Sequence, residues 1–191
     1  MKFQTIKNLK SVTIKASGFK RNLIIPPNLA KQFLFFLQEN IGNEIILVNT
    51  NIGIQIFYYS TKNYSQFIKE SMLFYAIKLN QNVRLNFTNQ LDGNQVRKQF
   101  KNAIYTFSQY PRLFLAYSKK FIQIKKENTQ SKIVMPFLNT CFEKTITSII
   151  EKNGMIPFQN ELNKNKIKAL ESEINKKILF NLYDDIKHHL N

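Results

Sequence analysis

Hydrophobic positions along this chain change their spacing several times, and each change predicts an element. Residues 11–16, "SVTIKA", alternate apolar and polar side chains and predict a strand. The segment "SGFKRN" turns, and Pro26, Pro27 and Asn28 then start a helix through "LAKQFLFFLQEN" that ends at Gly42. "EIILV" and "IQIFYYS", both rich in β-branched residues, are joined by "NTNIG" and predict a hairpin. Asn63, with Gln66 three residues later, opens a second helix over "NYSQFIKESMLFYAIKLN". "NVRLNFT" predicts another strand, "LDGN" a turn, and "QVRKQFKNAIYTF" a third helix with Val96, Phe100, Ile104 and Phe107 on one side.

Beyond residue 110 the period shortens. "PRLFLAYS" and "KKFIQIKK" read as two strands, paired in a hairpin, and "SKIVMP" as a third. In the second of these Lys119, Phe121, Gln123 and Lys125 point one way, while Ile122 and Ile124 point the other. Thr140 and Glu143 form a capping box for a helix that runs to Lys152 and stops at Gly154. From about Asn160 to Leu190 the pattern predicts one long helix. Ile167, Leu170, Ile174, Ile178, Leu182 and Ile186 recur along it, and Glu173 and Lys177 pair across one turn. At ~1.5 Å per residue it spans roughly 45 Å. So narrow an apolar stripe needs cover along its length, from the protein's own sheet or from a neighbour. The expected fold is α+β: a mixed or antiparallel sheet with packed helices and a long C-terminal helix. The boundary expected near residue 130 separates an α+β domain, 1–130, from a helical C-terminal extension, 131–191.

Charge changes the picture. The formal net charge is +16, and lysine outnumbers arginine 24 to 4. Residues 1–120 carry 17 basic and 4 acidic side chains, against 11 and 8 in the remainder, and the first 38 residues hold no acid. Such an excess repels itself unless a polyanion accompanies it. Ammonium groups suit phosphate neutralisation better than bidentate reading of bases. The amino acids with A/T-rich codons, Phe, Tyr, Met, Ile, Asn and Lys, supply 100 residues, and Gly, Ala, Arg and Pro supply 20. That ratio points to a very AT-rich genome and accounts for part of the lysine excess. Glutamate also has A-rich codons, yet Asp and Glu together number 12.

Several chemistries find no support. Five glycines leave little room for phosphate-cradling loops, and the nucleotide-binding and nucleophile-elbow motifs are missing, so no enzyme is expected. Asp184 with His188, and Asp185 with His189, have i,i+4 spacing, but the two pairs do not converge, and no metal or other cofactor is expected. The single Cys141 reads as a structural thiol. No run approaches the ~18 apolar residues of a membrane span, so no membrane partner is expected. The basic, acid-free start resembles a mitochondrial presequence, but it has one arginine and begins at Met1. The expectation is a protein used where it is made, or encoded inside the organelle.

Basic clusters interleaved with aromatic rings are the pattern that contact with phosphates and bases requires. Lys15, Lys20 and Arg21 surround a glycine turn with Phe19, and Arg97, Lys98 and Lys101 share one side of the third helix. Arg112, Lys119, Lys120, Phe121, Lys125 and Lys126 follow, with Arg112 beside Phe114 and Lys119 beside Phe121 on the expected hairpin.

With this composition from end to end, few glycines and no span, the chain resembles the organelle-encoded ribosomal proteins of AT-rich protist mitochondria, ciliates especially. The resemblance implies a structural ribosomal RNA-binding component in the mitochondrial matrix. Its Lys-rich loops and strands would neutralise phosphates, and Ile167, Leu170, Ile174, Ile178 and Leu182 of the last helix would meet a neighbouring ribosomal protein. Two other readings stay open: a soluble matrix-side subunit of a respiratory or ATP synthase complex, and a plasmid or phage DNA-binding replication factor.

Overall fold

The strand predicted near residue 11 runs from Leu9 to Ala16 (β1) and lies inside an antiparallel sheet. The computed structural model describes residues 7–16, 23–77, 85–87 and 91–189. On one side β1 pairs with the second strand of the expected hairpin, β2 (Ile45–Thr50) and β3 (Gly53–Tyr59), with Val12 opposite Ile56. On the other it pairs with two short strands, β4 (Leu85–Phe87) and β5 (Leu91–Asp92). Leu91 and Asp92, expected in a turn, thus extend the sheet before Gly93. Lys10, opposite Asp92 in this register, reaches its carboxylate at 3.4 Å.

Helices cover both faces of the sheet. Val12, Ile14, Ile45, Leu47, Ile54 and Ile56 face α1 (Pro27–Ile41) and α2 (Ser65–Ile77), which contribute Phe33, Leu37, Ile68 and Met72. Leu9, Ile46, Val48 and Phe57 point the other way, to α3 (Asn94–Ser108), α4 (Pro111–Glu127) and α5 (Val134–Asn153). A sheet buried on both sides reads as an apolar run, which is why "IILV" shows no alternation. The α1 and α2 starts follow the sequence: Pro27 occupies the first turn of α1, and Asn63 Oδ1 accepts the Ser65 amide at 2.8 Å. Gln66 does not complete a box; its amide donates forward to Glu70 at 2.7 Å.

The chain departs from expectation after residue 110. "PRLFLAYS" and "KKFIQIKK" are not strands but the single helix α4. Pro111 sits at its first position, where a missing amide proton costs nothing, and the one residue between Tyr117 and Lys119, Ser118, is buried in the helix rather than turning the chain. Phe114, Tyr117, Ser118, Phe121 and Ile124 are buried at three- and four-residue intervals. The Ile122–Ile124 alternation was too short a signal to outweigh that stripe. The hairpin pairs Arg112–Phe114 and Lys119–Phe121 therefore dissolve: the rings go inward and the cations outward. "SKIVMP" is likewise no strand, because α5 begins at Val134. Thr140 lies inside α5, where its hydroxyl donates to Pro136 O at 2.8 Å, and Glu143 holds Lys166 rather than a helix start.

A distant residue caps α5 instead. Glu44, just before β2, accepts Ser131 Oγ–H at 2.8 Å and the amides of Lys132, Ile133 and Val134 at 2.6, 3.1 and 3.0 Å. Burial pushes the Glu44 carboxyl up, but these hydrogen bonds outweigh it and hold its pKa below the usual range. The far end of α5 stops as predicted: Gly154 takes φ 76° and donates to Ile150 O at 2.7 Å. The helix–sheet core joins residues on either side of position 130, with Phe121 stacked on Phe142 at 4.5 Å between ring centres. The long final helix, α6 (Gln159–His189), has 31 residues and packs along α4 through its first turns.

Candidate nucleic-acid interface

Cations and carboxylates are not spread evenly over the two helical layers. Helices α1 and α2 carry two lysines, Lys31 and Lys69, and two acids, Glu39 and Glu70. Helices α3, α4 and α5 carry ten cations and three acids, and eight of those cations but only one acid, Glu127, belong to α3 and α4. The sheet lies between these layers, so one side of the molecule is balanced and the other strongly basic.

Burial of Val96, Phe100 and Ile104 against the sheet turns Arg97, Lys98 and Lys101 outward on α3. Across from them α5 presents Phe137, Thr140, Cys141 and Lys144, at helical spacing on one stripe. Between the two helices runs a groove of about 440 Å³, lined by Arg97, Lys101 and Lys144 and, among the described residues, by no carboxylate. The Arg97 guanidinium lies over the Phe137 ring at 5.5 Å, and the Lys101 ammonium over the Tyr105 ring at 5.5 Å. Tyr105 Oη–H donates to Ser148 Oγ at 2.6 Å and fixes α3 against α5. Burial pushes the Cys141 thiol up, while Arg97, which also hydrogen-bonds it, and Lys144 pull it down; burial prevails. Three cations around the Phe137 ring, with no carboxylate among the described lining residues, favour an anion in this groove over a cation.

Among the described residues the ion pairs are Lys10–Asp92, Lys119–Glu161 and Lys166–Glu143. None of them involves the groove. No protein family, curated protein or solved structure matches the chain. The functional reading therefore rests on this chain's own residues.

The expected RNA-binding residues fall into four groups. Arg97, Lys98 and Lys101 come together on α3. Arg112, Lys119 and Lys120 lie along α4, where Arg112 and Lys119 are exposed and Lys119 is tied to Glu161. Lys125 and Lys126 occupy its last turn, favourably placed at the negative end of the helix dipole. Lys15 is exposed on β1 beside β4, apart from the others in the fold, and Phe19, Lys20 and Arg21 lie outside the described residues. Phe121 drops out of the set. It is 1% exposed, packed among Phe100 and Phe142, and offers no face to a base.

Lys144, Cys141 and Phe137 were missed. The signal was their spacing with Thr140, one stripe of α5, which a helix start placed at Thr140 cut in two. On α6, Ile167, Leu170, Ile174 and Ile178 are 53%, 56%, 55% and 51% exposed, so the stripe does not fold back on the sheet. The side chains of Leu182, Asp184, Asp185, His188 and His189, and the Glu173–Lys177 pair, lie outside the described residues.

Proposed function

We propose that this chain is a structural RNA-binding component of a mitochondrial ribosome. The carrying observation is the one-sided charge: the layer of α3, α4 and α5 holds ten cations against three acids, and its groove between α3 and α5 brings Arg97, Lys101 and Lys144 together with no carboxylate among the described lining residues. Phosphates of a folded RNA would lie along α3 and the exposed side of α4, exchanging condensed counterions for lysines. The exposed stripe of α6 would pack on a neighbouring protein of the particle. The organellar and ribosomal parts of the proposal rest on the chain-wide composition and its resemblance to mitochondrially encoded ribosomal proteins.

The test is purification of the native particle through a tag on this chain. Stoichiometric ribosomal RNA, with binding to structured RNA that falls steeply as salt rises, is the expected result. Recovery with a respiratory or ATP synthase complex and no RNA would replace this reading with the matrix-side subunit.

A further inference from the structure

Away from the α3–α5 groove, the end of α4, the start of α5 and the first half of α6 enclose a cleft of about 510 Å³. Ligand pockets commonly fall in this size range. Its walls are apolar, from Ile122, Met135, Phe142 and Leu170 among others, and its rim carries Lys125, Lys126 and Lys166. Glu143 also lines it and pairs with Lys166 at 2.8 Å, which leaves the rim net positive. A second hollow of about 180 Å³ shares Ile122, Phe142, Glu143 and Lys166 with the cleft and lies between the same helices.

Two enclosed polar atoms on these hollows have no hydrogen-bond partner. Asn139, whose Oδ1 is enclosed, lines the cleft, and Ser118, 0% exposed with its Oγ enclosed, lines the inner hollow. Native interiors rarely leave such groups unpaired, and a ligand that pairs them recovers their desolvation cost. The ligand must then combine an apolar body, negative charge and hydrogen-bonding groups on the body itself. An acyl chain would fill the walls and satisfy the lysines but leave Asn139 unpaired. Inorganic phosphate would engage the lysines alone. A nucleotide meets all three demands.

We propose that this cleft holds one unstacked nucleotide of a single-stranded nucleic acid. Its base lies in the apolar slot and pairs with the Asn139 amide, which turns its Oδ1 toward the cleft to accept, and its phosphates sit among Lys125, Lys126 and Lys166. The inference rests on the RNA reading above and adds a base-sized pocket to it. A splayed base is the element that single-stranded RNA offers and a duplex withholds.

The experiment measures binding of an eight-nucleotide oligoadenylate RNA, carrying one 2-aminopurine, to the full chain. Two variants act on the cleft without touching the groove. Ala169→Phe fills the cleft, and Asn139→Leu removes the orphan acceptor while keeping the shape. Each is expected to weaken binding by about fivefold or more. Asn139→Leu should do so with an equal or higher melting temperature, because an apolar isostere relieves a buried unpaired group. The probe's emission should rise on binding the wild-type chain, as its base leaves the stack. Lys126→Gln gives the same reading if Ala169→Phe does not fold. Unchanged affinity in these variants, with binding lost on mutation of Arg97, Lys101 and Lys144, would overturn the pocket and leave the RNA reading standing. Failure of the wild-type chain to bind any RNA would overturn both. Saturable binding of oleate that Ala169→Phe abolishes would assign the cleft to an acyl chain and overturn the nucleotide.

Discussion

The Glu44 carboxylate accepts the amide proton of Val134 at 3.0 Å, tying the edge of the sheet to the start of a helix 90 positions later. With Ser131, Lys132 and Ile133 it gathers four donors at the positive end of α5. One side chain thereby fixes where α5 begins, and with it the wall of the α3–α5 groove.

Glu44→Gln should therefore lower stability by about 2 kcal/mol at neutral pH. The folded pKa lies below the ordinary glutamate value of 4.5, so this contribution is complete well above that pH and fades as pH falls through the folded value. Urea denaturation at pH 7 and pH 4 checks both parts. The variant should lose less on acidification than the parent.

Gly53 sets a second, sharper requirement. Its φ is 150°, and a Cβ there would stand 2.5 Å from the Ile14 carbonyl oxygen of the adjoining strand. Gly53→Ala should cost about 2 kcal/mol or more in equilibrium denaturation. Gly42, at φ 129° with nothing within 4 Å, supplies the control: Gly42→Ala meets backbone strain alone and should cost about 1 kcal/mol.

Replacing Arg97, Lys101 and Lys144 together with glutamine should leave the melting temperature nearly unchanged, since all three are exposed. RNA affinity should fall by about tenfold or more, and the slope of log K against log salt should shrink by about 2. Filter binding at several ionic strengths measures both. An unaltered slope would show that the phosphates lie elsewhere.

Cys141 reports on the same groove. With its pKa held above the ordinary 9.0 by burial, it should react with a maleimide more slowly than a free cysteine at neutral pH. The rate should climb as pH rises into the alkaline range. Bound RNA should slow it further, by covering Arg97 and Lys144 on either side.

Ile167→Gln with Ile174→Gln should alter the stability of the isolated chain by no more than about 0.5 kcal/mol, because both residues are more than half exposed. The same pair should reduce incorporation into the native particle, measured by sedimentation of the tagged chain. Full incorporation would remove α6 as a docking element.

Much of this architecture was legible in the order of residues. Pro27 and Gly42 bounded α1, two β-branched runs gave the β2–β3 hairpin, and the α6 period gave a helix near its observed limits. Two causes account for the differences: a remote partner at the start of α5, and in α4 a short alternation set inside a longer helical stripe. α5 starts where Glu44 places donors and acceptors together, and no local reading of "SKIVMP" reveals a cap 90 positions upstream. In α4 a strand-like Ile–Gln–Ile sat inside a helix because the sheet below had room for Phe114, Tyr117 and Phe121 together. The site shows the same division. The cluster on α3 is visible in the sequence as a run of cations, but Lys144 joins it only across helices, and Phe121, flanked by lysines in the sequence, is buried in the fold.

The separation of charge by the sheet has a kinetic consequence. A body basic on one side and balanced on the other carries a molecular dipole moment, and the field of a polyanion exerts a torque on it before contact. Approaching chains would rotate so that α3 and α4 lead, and productive encounters would outnumber those of an evenly charged body of equal net charge. Spreading the same lysines over both layers would preserve the total and forfeit this pre-alignment.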